Sequence, residues 1–196
     1  MVLLRLFEEM LDGIKKNGAY KGVEYQYGGP AHLAIGQEAE AVGQAYLLEK
    51  EDFIFGSHRS HEEIIAKGLS CIKKMDDKEL LSIMQNYENG NLYSALIKNI
   101  DILDTKKQAI YYLLYGILAE IFGREVGFNK GLGGSMHTFF IPFGIFPNNA
   151  IVGASADIAN VAAFLASDEG SYMNGAILVA DGGITVHVRE GKKEVD

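Results

Sequence analysis

Most side chains able to do chemistry stand close to histidines. His58, Arg59 and His61 lie together in Gly56-Ser-His-Arg-Ser-His61, directly after the apolar run Phe53-Ile-Phe55. Arginine supplies a planar, permanently charged fork for phosphate oxygens, and neighbouring imidazoles donate hydrogen bonds or carry protons, so the cluster suits an anion such as a diphosphate. The same residues also read as the start of a helix, solvated or paired with Glu62 and Glu63. His58 and His61 could begin a metal site, but the sequence names no third ligand.

A second candidate is the loop Gly131-Leu-Gly-Gly-Ser-Met-His137, whose glycines would let backbone N–H groups approach an anion closely. It carries no P-loop lysine and opens no helix. The Gly-x-Gly-x-x-Gly fingerprint of dinucleotide sites does not follow any strand-like run in the chain.

Composition narrows the partners. The 196 residues hold 18 Lys and Arg against 26 Asp and Glu, a formal charge of −8, which repels nucleic acid and anionic membrane surfaces. A single cysteine, Cys71, excludes an internal disulfide and a Cys-rich zinc site and fits a reducing, cytoplasmic setting. At the N-terminus, Arg5, Glu8 and Glu9 interrupt the apolar run, which therefore reads as neither a secretory segment nor a membrane span.

The elements that must position these groups follow from periodicity. Leu3, Phe7, Met10 and Ile14 mark one face of a first amphipathic helix, and NGAYKGVEYQYGGP reads as a loop leading to a second helix from near His32. The run 53–55, closed by Gly56, suits a short strand or a buried turn. Residues 64–121 are helical in pattern, with a capping-box spacing at Thr105-Lys-Lys-Gln108 and a stop at Gly123. From 123 to 155, glycines together with Pro142 and Pro147 impose a loop that packs under its own helices or contacts a ligand. The end of the chain is a helix with Ile158, Val161, Ala162 and Leu165 on one face, a turn at Asn174-Gly175, and an apolar strand 176–180 leading to Asp181-Gly-Gly.

Taken in order, Gly29-Pro-Ala-His-Leu-Ala-Ile-Gly-Gln-Glu38, Gly56-Ser-His-Arg-Ser-His61, Gly131-Leu-Gly-Gly-Ser-Met-His137 and Asn149-Ala-Ile-Val-Gly-Ala154 resemble the alpha subunit of thiamin-diphosphate-dependent 2-oxo acid dehydrogenase E1 components. The family includes the pyruvate, branched-chain and acetoin types. The resemblance covers residues 1–155, with 70–118 looking like a helical insertion relative to shorter members. It implies an α/β protein: a truncated thiamin-diphosphate-binding fold, helix-rich at its front, with a small, mostly parallel sheet completed by a helix–strand unit at the end.

By resemblance, Arg59 contacts the cofactor diphosphate with His58 beside it, where the family usually has tyrosine. His61 lies near the reacting carbon and His32 at the entrance of the same site. Backbone groups of Ala150 and Val152 hold the aminopyrimidine ring. The implied cofactor is thiamin diphosphate with magnesium, and the implied partners are an E1 beta-type subunit or a second copy, and a lipoyl-bearing acyltransferase. The family's Gly-Asp-Gly and downstream asparagine, which hold the metal, are not recognisable here.

Residues 156–196 resemble instead the C-terminal segment of short-chain dehydrogenases/reductases, packed as part of the same domain. The Tyr-x-x-x-Lys pair of that family is missing, and Tyr172 belongs to the tail motif. The two resemblances meet near Ser155-Ala-Asp-Ile-Ala159. They lead to the expectation of an E1-alpha-like chain with incomplete catalytic machinery. The alternatives are a non-enzymatic, oligomerising scaffold and a short-chain reductase.

Overall fold

The computed structural model describes residues 1–99, 102, 104–148, 150 and 154–174, with the backbone alone at 154–158. Contacts divide the chain into two compact units, Met1–Val152 and Gly153–Asp196. The described residues are mainly helical, with two small sheets, one of them parallel, as a truncated α/β fold requires. None of the described helices is long and apolar enough to cross a membrane.

Helix α1 (Val2–Asn17) buries Leu4, Phe7, Leu11 and Ile14 and ends at Gly18, whose φ of 66° is a left-handed cap that most side chains disfavour. The buried stripe is rotated slightly from the expected one: Leu3 and Met10 flank it, half-buried. The segment expected to be a plain loop holds a hairpin, β1 (Ala19–Tyr20) paired antiparallel with β2 (Val23–Glu24). Lys21 and Gly22 both take positive φ, as a two-residue hairpin turn demands.

The second helix, α2, runs Glu38–Leu47 and does not begin near His32. Two constraints keep residues 32–37 out of the helix. The Ala34 N–H is taken by Glu8 at 3.0 Å, and Gly36 has a φ of 101°. Strand β3 (Ile54–Phe55) lies parallel to β4 (Ile145–Phe146), which satisfies the expected short strand at 53–55.

Between those strands run α3 (His61–Lys74), α4 (Asp77–Asn86), α5 (Asn91–Ile97) and α6 (Thr105–Ile121). A capping box at Asp76/Glu79 starts α4 and so breaks the stretch whose pattern reads as helical throughout. At α6 the cap is Asp104, whose carboxylate accepts from the Lys107 N–H, so Thr105 is the first helical residue and not the cap.

The core forms where α3, α4, α5 and α6 meet, around Ile64, Ile65, Leu80, Met84, Leu92, Leu113 and Ile117. Gly68 sets the α3–α6 spacing, because a Cβ there would fall 2.5 Å from Leu113 Cδ2. Phe128 stacks on Phe140 at 4.2 Å between ring centroids, and this aromatic pair anchors the glycine-rich loop to the core.

In the second unit, α7 (Ala154–Ala166) is formed as expected, but of the proposed apolar face Val161 is half-buried while Ala162 and Leu165 are exposed. The turn at Asn174-Gly175, the strand 176–180 and Asp181 lie outside the described residues.

Candidate functional site

Three of the four sequence blocks, together with Asn148 just before the fourth, approach one another through buried polar side chains. The first of these is His61, the opening residue of α3, which has no solvent exposure. Its Nδ1 lies 2.9 Å from Glu8 Oε1 on α1. Its Nε2 faces Ser135 in the glycine loop, 2.9 Å from the carbonyl oxygen and 3.0 Å from Oγ. Ser135 Oγ also receives the His32 N–H at 3.4 Å.

Asn148 is the second junction. Its amide Nδ2 donates to the carbonyl of Ser57 at 2.7 Å, to Ser60 Oγ at 2.9 Å and to the Met136 carbonyl. The 56–61 block, the glycine loop and the segment before Ala150 thus meet at one amide. Asn148 Oδ1 is buried without a hydrogen-bond partner among the described residues. No sequence motif points to Asn148 or Glu8. A carboxylate inside the apolar stripe of α1 is the one signal for Glu8, since a buried charge must be paired.

The glycine loop differs from the cradle that its sequence suggests. Glu120, at the end of α6 and without solvent exposure, accepts the backbone N–H groups of Asn129, Gly131 and Gly133 at 2.7, 2.9 and 2.6 Å. The protein's own carboxylate therefore occupies the anion position that those amides define. A Cβ on Gly127 would fall 2.5 Å from Glu120 Oε2, so that glycine is required for the close approach.

The remaining predicted residues lie at the edge of this buried network. The rings of His32 and His58 are 5.8 Å apart, edge to face, and both are half-exposed. Arg59 is exposed, with no carboxylate partner among the described residues. Its neighbours Glu62 and Glu63 do not pair with it. Ser57 N–H points to Glu63 at 3.4 Å, and Glu62 is buried. Ala150 is half-buried, while Val152 lies outside the described residues.

Electrostatics beside the network are uneven. Arg5 bonds Glu38 and holds its carboxyl down at about 2, helped by the Gly36 N–H. Among the described residues neither Glu62 oxygen is hydrogen-bonded, and burial, with Glu38 and Glu8 nearby, pushes its carboxyl up to about 7. Burial also raises the Cys71 thiol, which suits a core residue more than a nucleophile. Among the described residues no three His, Cys, Asp or Glu side chains come together as a metal shell.

The family model described as Dehydrogenase E1 component matches residues 16–96, and the one described as Enoyl-(Acyl carrier protein) reductase matches residues 147–185. The pyruvate dehydrogenase E1 component subunit alpha of Rickettsia prowazekii is 30% identical over 184 residues, which cover 94% of this chain and 41% of that protein. Its counterpart from Rhizobium meliloti is 29% identical over 164 residues, 84% of this chain and 33% of that protein. The mitochondrial subunit of Chaetomium thermophilum is 28% identical over 182 residues, 93% of this chain and 32% of that protein. No solved structure matches the chain. The chain spans between a third and two fifths of the length of these curated relatives, and it is over that span that it is similar to pyruvate dehydrogenase E1 alpha subunits.

Proposed function

We propose that this chain provides the alpha-type part of a thiamin-diphosphate-dependent 2-oxo acid dehydrogenase E1 site, acting on pyruvate or a similar 2-oxo acid. The observation that carries this reading is the convergence of the 29–38, 56–61 and 131–137 blocks and Asn148, linked through His61, Ser135 and Asn148. A polar junction that gathers the residues of several separate blocks is what a shared site requires.

Thiamin diphosphate, when bound, supplies the carbanion and electron sink for loss of CO2 from a 2-oxo acid. The residues on this side of the site fit that group: among the described residues Arg59 has no carboxylate partner and could meet a diphosphate, and Asn148 Oδ1 is an acceptor without a donor. His58 would assist Arg59, and His32 would stand where substrate enters. The backbone at Ala150 and Val152 would hold the aminopyrimidine ring. His61, enclosed between Glu8 and Ser135, would act from behind these groups. No three His, Cys, Asp or Glu side chains gather among the described residues, so no residue is assigned to magnesium, and the diphosphate contacts are assigned to Arg59 and His58.

In this reading the site is shared with an E1 beta-type subunit or a second copy, the acyl unit passes to a lipoyl-bearing acyltransferase, and the protein works in the cytoplasm. The reductase-like segment contributes structure and not hydride chemistry, because the chain has no dinucleotide loop. A second reading, a scaffold without catalysis, draws support from the enclosure of His61 and the capture of the loop amides by Glu120.

Calorimetric titration with thiamin diphosphate, with and without magnesium, separates the two. Saturable binding that weakens about ten- to a hundredfold in Arg59→Ala is expected, the loss typical of one charge-assisted contact. Absence of binding, or equal binding by the variant, would favour the scaffold or remove Arg59 from the site.

A further inference from the structure

The hydrogen bonds around His61 close into a ring. Glu8 accepts through both oxygens, so His61 Nδ1 carries the hydrogen that bridges them at 2.9 Å. On the other side Nε2 is held between the Ser135 carbonyl oxygen at 2.9 Å and Oγ at 3.0 Å, and Oγ also receives the His32 N–H at 3.4 Å. Two residues on from His32, the Ala34 N–H returns to the other Glu8 oxygen at 3.0 Å. Both arms of the ring end on Glu8.

The order carboxylate, imidazole, hydroxyl is that of a hydrolase triad, but the setting is wrong for attack on a substrate. Glu8 and His61 are 0% exposed and Ser135 only 3%. A sealed hydroxyl cannot reach an acyl carbon. A sealed chain of hydrogen bonds can instead hold three segments in register, because its members come from elements far apart in sequence.

We propose that Glu8 is a positioning residue. Acting through His61 and Ser135, it locks the His32 segment and the glycine loop against the start of α3, and so sets the pairing of His32 with His58. This deepens the thiamin diphosphate reading and rests on it for the ligand, though not for the geometry. Glutamine is the informative replacement: it keeps the shape of Glu8 but offers one oxygen where two donors, His61 and Ala34, must be received. Ser135→Ala cuts the ring at one hydroxyl and leaves the backbone carbonyl in place.

The test uses the full chain with 15N-labelled histidines. In the parent, His61 Nδ1 should carry a hydrogen. In Glu8→Gln and Ser135→Ala the ring signals of His32 and His58 should move, and thiamin diphosphate affinity should fall by about tenfold or more in the folded fraction, as expected when a bound group is misplaced. A purely structural role would lower the melting temperature and leave both readouts of the folded fraction unchanged, which would overturn the proposal. If Glu8→Gln does not fold, Ser135→Ala decides alone. If the parent does not bind thiamin diphosphate, the cofactor reading fails, while the His32 and His58 signals in Ser135→Ala still decide the positioning role.

Discussion

Glu120 and Glu62 are both buried carboxylates near a helix end, yet their surroundings are opposite. Glu120 closes α6 and receives three backbone N–H groups from the glycine loop. Glu62 sits in the first turn of α3 with no hydrogen bond to either oxygen among the described residues. Ser60, at the N-cap of α3, makes no side-chain cap, and its hydroxyl instead receives Asn148. The difference shows that burial alone does not decide what a charge does. A carboxylate that meets converging amides becomes part of the scaffold, whereas one buried without a donor, beside other carboxylates, is shifted toward its neutral form.

The largest expected effect comes from breaking the satisfied member. Glu120→Ala leaves three loop amides without an acceptor and should destabilise the first unit by about 3–5 kcal/mol, read from chemical denaturation. Residues 129–133 should lose hydrogen-exchange protection before the core helices do. Retained protection there would mean that the loop holds its shape without Glu120.

The unsatisfied member should respond in the other direction, with a pH signature. The Glu62 carboxyl is raised from 4.5 to about 7 in the folded chain, so the folded state binds a proton that the unfolded state releases. Its contribution is fully present below about pH 4.5, is lost as pH rises through about 7, and is level above that. A tenfold change in proton affinity is worth about 1.4 kcal/mol, and screening by solvent trims the total, so Glu62→Gln should stabilise the protein by roughly 2 kcal/mol at pH 8. At pH 4 it should change little. Equal effects at both pH values would show that Glu62 finds a partner that keeps it ionised.

The smallest effect sharpens the contrast between the two helix starts. Asp104 caps α6 through the Lys107 N–H at 2.7 Å, and Asp104→Ala should cost about 1 kcal/mol in thermal or chemical unfolding. Ser60→Ala should instead loosen the Asn148 junction. Its effect should appear in the chemical shifts of residues 136 and 148 more than in the stability of α3.

The readable parts of the fold are those decided by local chemistry. The apolar period of α1, the short strand at 54–55, the end of α6 before Gly123 and the loop after it are all present. Departures gather where a distant group intervenes. Residues 32–37 look helical in sequence, but Glu8 and Gly36 hold them outside α2. Thr105 and Asp104 both have capping side chains, and only the chain geometry selects Asp104. The glycine loop has the composition of an anion cradle, and its anion proves to be Glu120.

For the site, the order of the four blocks picked out the candidate residues, because residue type and local spacing are written directly in the chain. What tertiary structure alone decided is how those residues divide. His61 is enclosed while the half-exposed rings of His32 and His58 face each other, Arg59 has no acid partner among the described residues, and Glu8 and Asn148 join segments that no spacing connects. The physical reason is that a polar group's role depends on its partners once it leaves water, and those partners come from elements far along the chain, as with Glu8 and His61 at a separation of 53 and His32 and Ser135 at 103.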